Sequence, residues 1–136
     1  MPHFARGTFD VTATKLPPYD SGEGAILSRT TITKRFHGEL EATSIVEMIS
    51  AVTTVRGSAG YVAIERVRGK LLGRAGTFVL QHSGTMTRGR PELTVTVVPD
   101  SATGELVGLS GRMTIDIVDG EHRYGFEHEL PASETA

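Results

Sequence analysis

The chain has 136 residues, fourteen basic and sixteen acidic, a formal charge of −2 and no cysteine. That length predicts one domain with a core large enough to hold without covalent staples. The near-balanced charge excludes a general binder of nucleic acid or acidic membrane, and the missing thiols exclude a disulfide framework and a cysteine nucleophile.

Scattered glycines, sixteen in all, separate short stretches rich in Val, Ile, Thr and Phe, which is the punctuation of a strand-rich chain. Ala5 to Leu16 alternates, with Phe9, Val11 and Ala13 set against Thr8, Asp10, Thr12 and Thr14, and predicts a first strand. Pro17-Pro18 and Gly22-Glu23-Gly24 then interrupt regular structure. Ile26 to Phe36 is the second strand. Leu40 to Val55 is the third, because its many β-branched residues are stiff at χ1 and outweigh a helix-like middle. Tyr61 to Arg68 and Leu72 to Thr87 predict a hairpin around Gly69-Lys70, and Glu92 to Val98 pairs back across a turn at Gly89-Arg90. Glu105 to Leu109 reads as a helical turn or an extended bridge. Met113 to Val118 and Glu121 to Leu130 close on Asp119-Gly120, a strong two-residue hairpin signal. The longest apolar run is only Tyr61 to Ile64, and Met1 to Gly7 has no apolar signal core, so a soluble cytoplasmic protein is expected.

Eight strands on short connections predict an all-β, antiparallel eight-stranded barrel, closed because closure removes the sheet edges; a two-sheet β-sandwich is the alternative. Residues 1–136 form this one domain, with 5–130 the ordered core and 131–136 a frayed tail.

Directly paired residues share a face. The assumed turns therefore set Glu65 opposite Arg74, Ala63 opposite Gly76, Tyr61 opposite Phe78 and His82 opposite Val97. Around Asp119-Gly120 they pair Ile117 with His122, Ile115 with Tyr124 and Met113 with Phe126. The resulting inner face collects Phe78, Leu80, Val95, Val97, Met113, Ile115, Ile117 and Phe126. It also takes in Tyr61, Glu65, Arg74, His82, His122, Tyr124 and His128, with Leu40, Ala42, Ser44, Val46 and Met48 by alternation. Ala63 opposite Gly76 predicts a small cavity bordered by Tyr61, Glu65, Arg74 and His82.

Buried polar groups need partners. For Glu65 and Arg74 the plain reading is an ion pair at the barrel mouth, and the functional one a carboxylate tuned for proton transfer or ligand binding. His82 is either a hydrogen-bonded core histidine or a site residue. His122 and His128 stand six apart with no third ligand at convincing spacing, so no metal site is expected. Ser83 follows His82 but points to the other face, against a Ser–His nucleophile pair.

The stretches Tyr61-Val62-Ala63-Ile64-Glu65-Arg66, Leu72 through Gly84 and Val98 through Leu106 resemble a bacterial family of small proteins of unknown function. The opening Gly7 to Thr12 and Gly120 to Tyr124 fit the same family, so the resemblance spans nearly the whole chain. It implies a fold similar to the allene oxide cyclase barrel. Such cyclases bind an apolar substrate in the lumen and steer its ring closure without a cofactor. Their catalytic residues do not match this chain one by one, and none is carried over.

The expected function is a barrel that binds a small apolar molecule in its lumen, with no cofactor. In its catalytic version, a cofactor-free isomerase or cyclase, Glu65 is the acid/base, Arg74 fixes its charge, and His82 and Tyr61 orient the substrate. Ala63, Phe78, Ser44, His122 and Tyr124 complete the ligand wall. A non-catalytic carrier or sensor and a filled structural barrel are the alternatives. Val62, Ile64, Val79, Ile45 and Ile49 on the outer face predict a homodimer.

Overall fold

The computed structural model of the chain describes residues 2–131, so most of the tail expected to fray lies outside the described residues. The strands are β1 (His3–Lys15), β2 (Ala25–Gly38), β3 (Leu40–Thr53), β4 (Ala59–Leu71), β5 (Arg74–Thr87), β6 (Arg90–Val97), β7 (Ser110–Val118) and β8 (Glu121–Glu129). They are antiparallel and close in chain order into a barrel, which sets the sandwich alternative aside. Between β6 and β7 lies one turn of 3-10 helix, Gly104–Leu106. No helix of the described residues is long and apolar enough to cross a membrane.

Three tight hairpins share one chemistry. Leu72-Gly73, Arg88-Gly89 and Asp119-Gly120 all have positive φ at both central residues, with values from 47° to 89°. That is the requirement of a type I′ turn, whose second position favours glycine. The expected turn at Asp119-Gly120 is found, with Ile117 opposite His122 and Met113 opposite Phe126. The other two expectations placed the turn wrongly. Gly69 is not a turn residue but a mid-strand one, where a side chain would strike Ala42 of β3. With the turn at Leu72-Gly73, Glu65 pairs Leu80, Ala63 pairs His82, Tyr61 pairs Gly84, and Arg74 pairs Leu71. With the turn at Arg88-Gly89, His82 pairs Val95. Each correction moves the register by an even number of residues, so the inward-facing set survives while its partners change.

Following the inward residues in register from Lys15 leads through Thr30, Met48, Ala63, His82 and Val95, across to β7, and through Phe126 to Ala5. The path returns to β1 displaced by about ten residues, so the strands tilt steeply and the barrel is of the width that side chains fill or that one small ligand occupies. The half nearer the β2–β3 and β4–β5 turns is filled. Phe36, Leu40, Leu71, Phe78, Leu80 and Phe126 are buried there, and Leu106 of the 3-10 turn joins the same core. Gly76 admits this plug, since any side chain there would collide with Thr103 and Leu106.

The barrel has one weak seam. β6 and β7 pair through Thr96 opposite Arg112, and among the described residues no further pair joins them. Towards the mouth the two edges form no ladder pair with each other among the described residues. Ile117 faces inward by register yet is 66% exposed, so its expected place in the core is corrected.

Candidate functional site

The inward positions at mid-barrel carry a buried polar cluster: Lys34 on β2, Ser44 on β3, Glu65 on β4 and His82 on β5. Glu65 has no solvent exposure. Its Oε1 accepts from His82 Nε2 at 2.7 Å and from Lys34 Nζ at 3.2 Å, and its Oε2 accepts from Ser44 Oγ at 2.5 Å. Register explains how four strands deliver these groups to one point. Lys34 lies directly opposite Ser44, so its long side chain passes over the short hydroxyl to reach Glu65 on the next strand. The ammonium also sits over the Phe9 ring, 4.9 Å from its centroid, a cation–π contact in a dry setting.

Burial by itself pushes the Glu65 carboxyl up, because a charge loses its water. The His82 and Ser44 hydrogen bonds and the Lys34 charge together outweigh that, and hold it below the ordinary glutamate value. Glu65 is therefore a carboxylate. Acceptor-only oxygens require His82 Nε2 to carry the hydrogen of their contact.

The candidate residues fall into three groups. Glu65, His82 and Ser44 share the inner face as expected, and hydrogen bonds that were not expected join them there, with Ala63 the direct cross-strand neighbour of His82. Tyr61 covers Gly84 on the inner wall above them, half-buried, with its phenol raised by that burial. His122 faces inward and packs on Phe9 at 5.1 Å between ring centroids, one ring away from Lys34.

The others lie elsewhere. Arg74 is exposed at the start of β5, so it does not pair with Glu65. Phe78 is buried in the filled half, stacked on Phe126 at 5.7 Å. Tyr124 is buried too, where its hydroxyl accepts from the Leu40 amide at 2.9 Å and can donate to the His37 carbonyl at 2.9 Å, pinning the β2–β3 turn.

The pairing expected to leave a cavity, Ala63 opposite Gly76, is not found: His82 stands opposite Ala63, and Gly76 lies opposite Gly69 against Thr103 and Leu106. Lys34 is the member that sequence reasoning missed. Its signal was alternation with Phe36 two residues later, both inward on β2. Among the described residues no three His, Asp or Glu side chains converge as a metal site would need.

Above the cluster the inner wall turns apolar and wet all round the mouth, where Ile26, Val52 and Met86 are inward by register and about half exposed. Val11, Leu93 and Ile117 face inward and are 40%, 41% and 66% exposed, with Ile115 partly covered between them. Other concavities open on the outer wall. One of about 410 Å³ lies among Asp10, Thr33, Arg35, Thr43, Arg66 and Arg68, and one of about 580 Å³ among Arg29, Glu47, Ile49, Val62, Ile64 and Gln81.

The chain matches the family model described as protein of unknown function (DUF3224) over residues 5–128. It is also similar to a crystal structure of a protein with unknown function from that family, from Shewanella oneidensis MR-1. The two are 50% identical, the match covers 98% of this chain and 100% of the other, and the TM-score is 0.93. No curated protein matches. A family match over most of the chain, together with a near-identical barrel at half-identical sequence, makes the protein a member of the DUF3224 family.

Proposed function

We propose that this barrel binds one small, uncharged apolar molecule in the open half of its lumen, without chemical change. The observation that carries the reading is the set Val11, Leu93, Ile115 and Ile117. These are apolar side chains on the concave face of a closed barrel, exposed to water apart from the partly covered Ile115, above a buried polar cluster. Apolar surface held on a concave wall is the usual character of a ligand site, since covering it releases water at about 25 cal/mol per Å².

The polar cluster supports a carrier over an isomerase or cyclase. A carboxylate that accepts three hydrogen bonds, sits below its ordinary pKa and has no exposure is a poor proton acceptor for a bound substrate. Its part in this reading is to hold the floor of the site, with Tyr61 and His122 as polar neighbours of the ligand. A filled structural barrel is the second reading, favoured by the packing of Phe78, Leu80, Tyr124 and Phe126 across the other half.

The test is a fluorescence titration with N-phenyl-1-naphthylamine, an uncharged probe that brightens in apolar surroundings. Saturable uptake by the wild type, lost in Leu93→Asp and in Ile115→Asp, is the expected result. Uptake that never saturates, or that both variants retain, leaves the structural reading in its place.

A further inference from the structure

We propose that the β6–β7 seam is the side entrance to the lumen, kept unzipped by Glu92 facing Asp116, and that it admits an uncharged apolar molecule. The inference rests on the lumen-binding reading above.

Three observations on one edge support it. The pairing of Thr96 with Arg112 defines a register for the two strands. Extending that register towards the mouth sets Thr94 opposite Thr114, Leu93 opposite Ile115, Glu92 opposite Asp116 and Pro91 opposite Ile117. Pro91 has no amide hydrogen to give the ladder, and like charges directly opposite weaken a strand pair. The sequence therefore disfavours zipping at the two steps beyond Leu93. Second, both edges are fully paired on their other sides, β6 with β5 from Arg90 to Val97 and β7 with β8 from Ser110 to Val118. The opening is thus local to the seam and not fraying of whole strands. Third, the lips of the seam carry two of the exposed inward apolar side chains that ring the mouth, Leu93 of β6 and Ile117 of β7, with the partly buried Ile115 between them and the core.

Chemistry selects what can pass. The lips carry acidic groups on the outer face and apolar ones on the inner face. An anion is repelled by Glu92 and Asp116, and a cation would have to leave them to enter an apolar wall. An uncharged apolar molecule meets neither barrier. Bare strand edges also invite aggregation, and Pro91 with the paired acids blunts these two edges against it.

Asp116 has Arg123 beside it on β8, and that guanidinium is held by Glu121 at 2.9 Å between Arg123 Nε and Glu121 Oε1. Glu92 has Thr85 as its β5 partner and lies exposed, so it is the residue to change. In Glu92→Lys the facing pair becomes attractive. In Glu92→Lys/Asp116→Lys it is repulsive again.

Stopped-flow association of N-phenyl-1-naphthylamine, with amide exchange of β6 and β7, tests the proposal. The single variant should take up the probe about fivefold more slowly and protect amides near Leu93 and Ile115, and the double variant should return towards the wild-type rate. Equal rates and equal exchange in all three proteins overturn the entrance while leaving lumen binding intact. A wild type that takes up no probe overturns both.

Discussion

His82 Nε2 meets Glu65 Oε1 at 2.7 Å although the direct cross-strand partner of Glu65 is Leu80 and that of His82 is Ala63. The contact is diagonal, and it forms because the Ala63 methyl leaves the imidazole room to lean across β4. This makes Ala63 a probe of how full the barrel is. Ala63→Leu should compete with His82 for the same volume and cost about 1–3 kcal/mol in urea unfolding, as added bulk does in a packed core. A variant as stable as the wild type would instead reveal empty space beside Tyr61.

Lys34 and Glu65 should behave as one unit. Lys34→Met strips the carboxylate of its only ammonium partner among the described residues, and Glu65→Leu strands a buried ammonium. Each single change should lose about 3–5 kcal/mol, whereas the double change should lose clearly less than their sum. Additive losses in chemical denaturation would show that the two charges are not coupled.

Acid should weaken the fold in two stages. Burial lowers the pKa of His128, an effect that its hydrogen bond to the Phe126 carbonyl does not cancel, so the folded state favours the neutral ring. A lowered folded pKa means stability that is complete above the ordinary histidine value and lost as pH falls below it, beginning at about 6.5. Glu65 is lowered too, so its contribution is complete above the ordinary carboxylate range and is lost as pH falls through its depressed value. His128→Gln should flatten the first stage and Glu65→Gln the second, read from unfolding free energy against pH. Unchanged slopes in both variants would contradict these shifts.

The outer wall of β3 and β4 exposes Ile45, Ile49, Val62 and Ile64, about half of each, with Ile49 directly opposite Val62. Val79, expected in the same patch, is partly covered by the loop after β6, where the Val98 amide and the Ser101 hydroxyl bond its backbone. The four remaining residues should still support a symmetric dimer. Light scattering should give twice the chain mass, and Ile49→Lys/Val62→Lys should give the single mass. A wild type that is monomeric at all accessible concentrations would end this expectation.

Alternation and turn residues, read without coordinates, determined the strand count, the barrel class and the inward set, because side-chain period along a strand is a local property. They placed Glu65, His82 and Ser44 on one face correctly, and the Asp119-Gly120 hairpin to the residue. They could not decide the β4–β5 register, since Leu72 enters positive φ only because both strands continue to it, and Gly69 mimics a turn while serving the close approach of β3. That is why Arg74 was chosen as the partner of Glu65 and Lys34 was missed: the true counter-charge comes from a strand two places away, over Ser44. The seam, too, belongs to tertiary structure alone. Whether two runs of strand residues pair depends on what faces them across the barrel, and only closure brings Glu92 and Asp116 to opposite lips of the same gap.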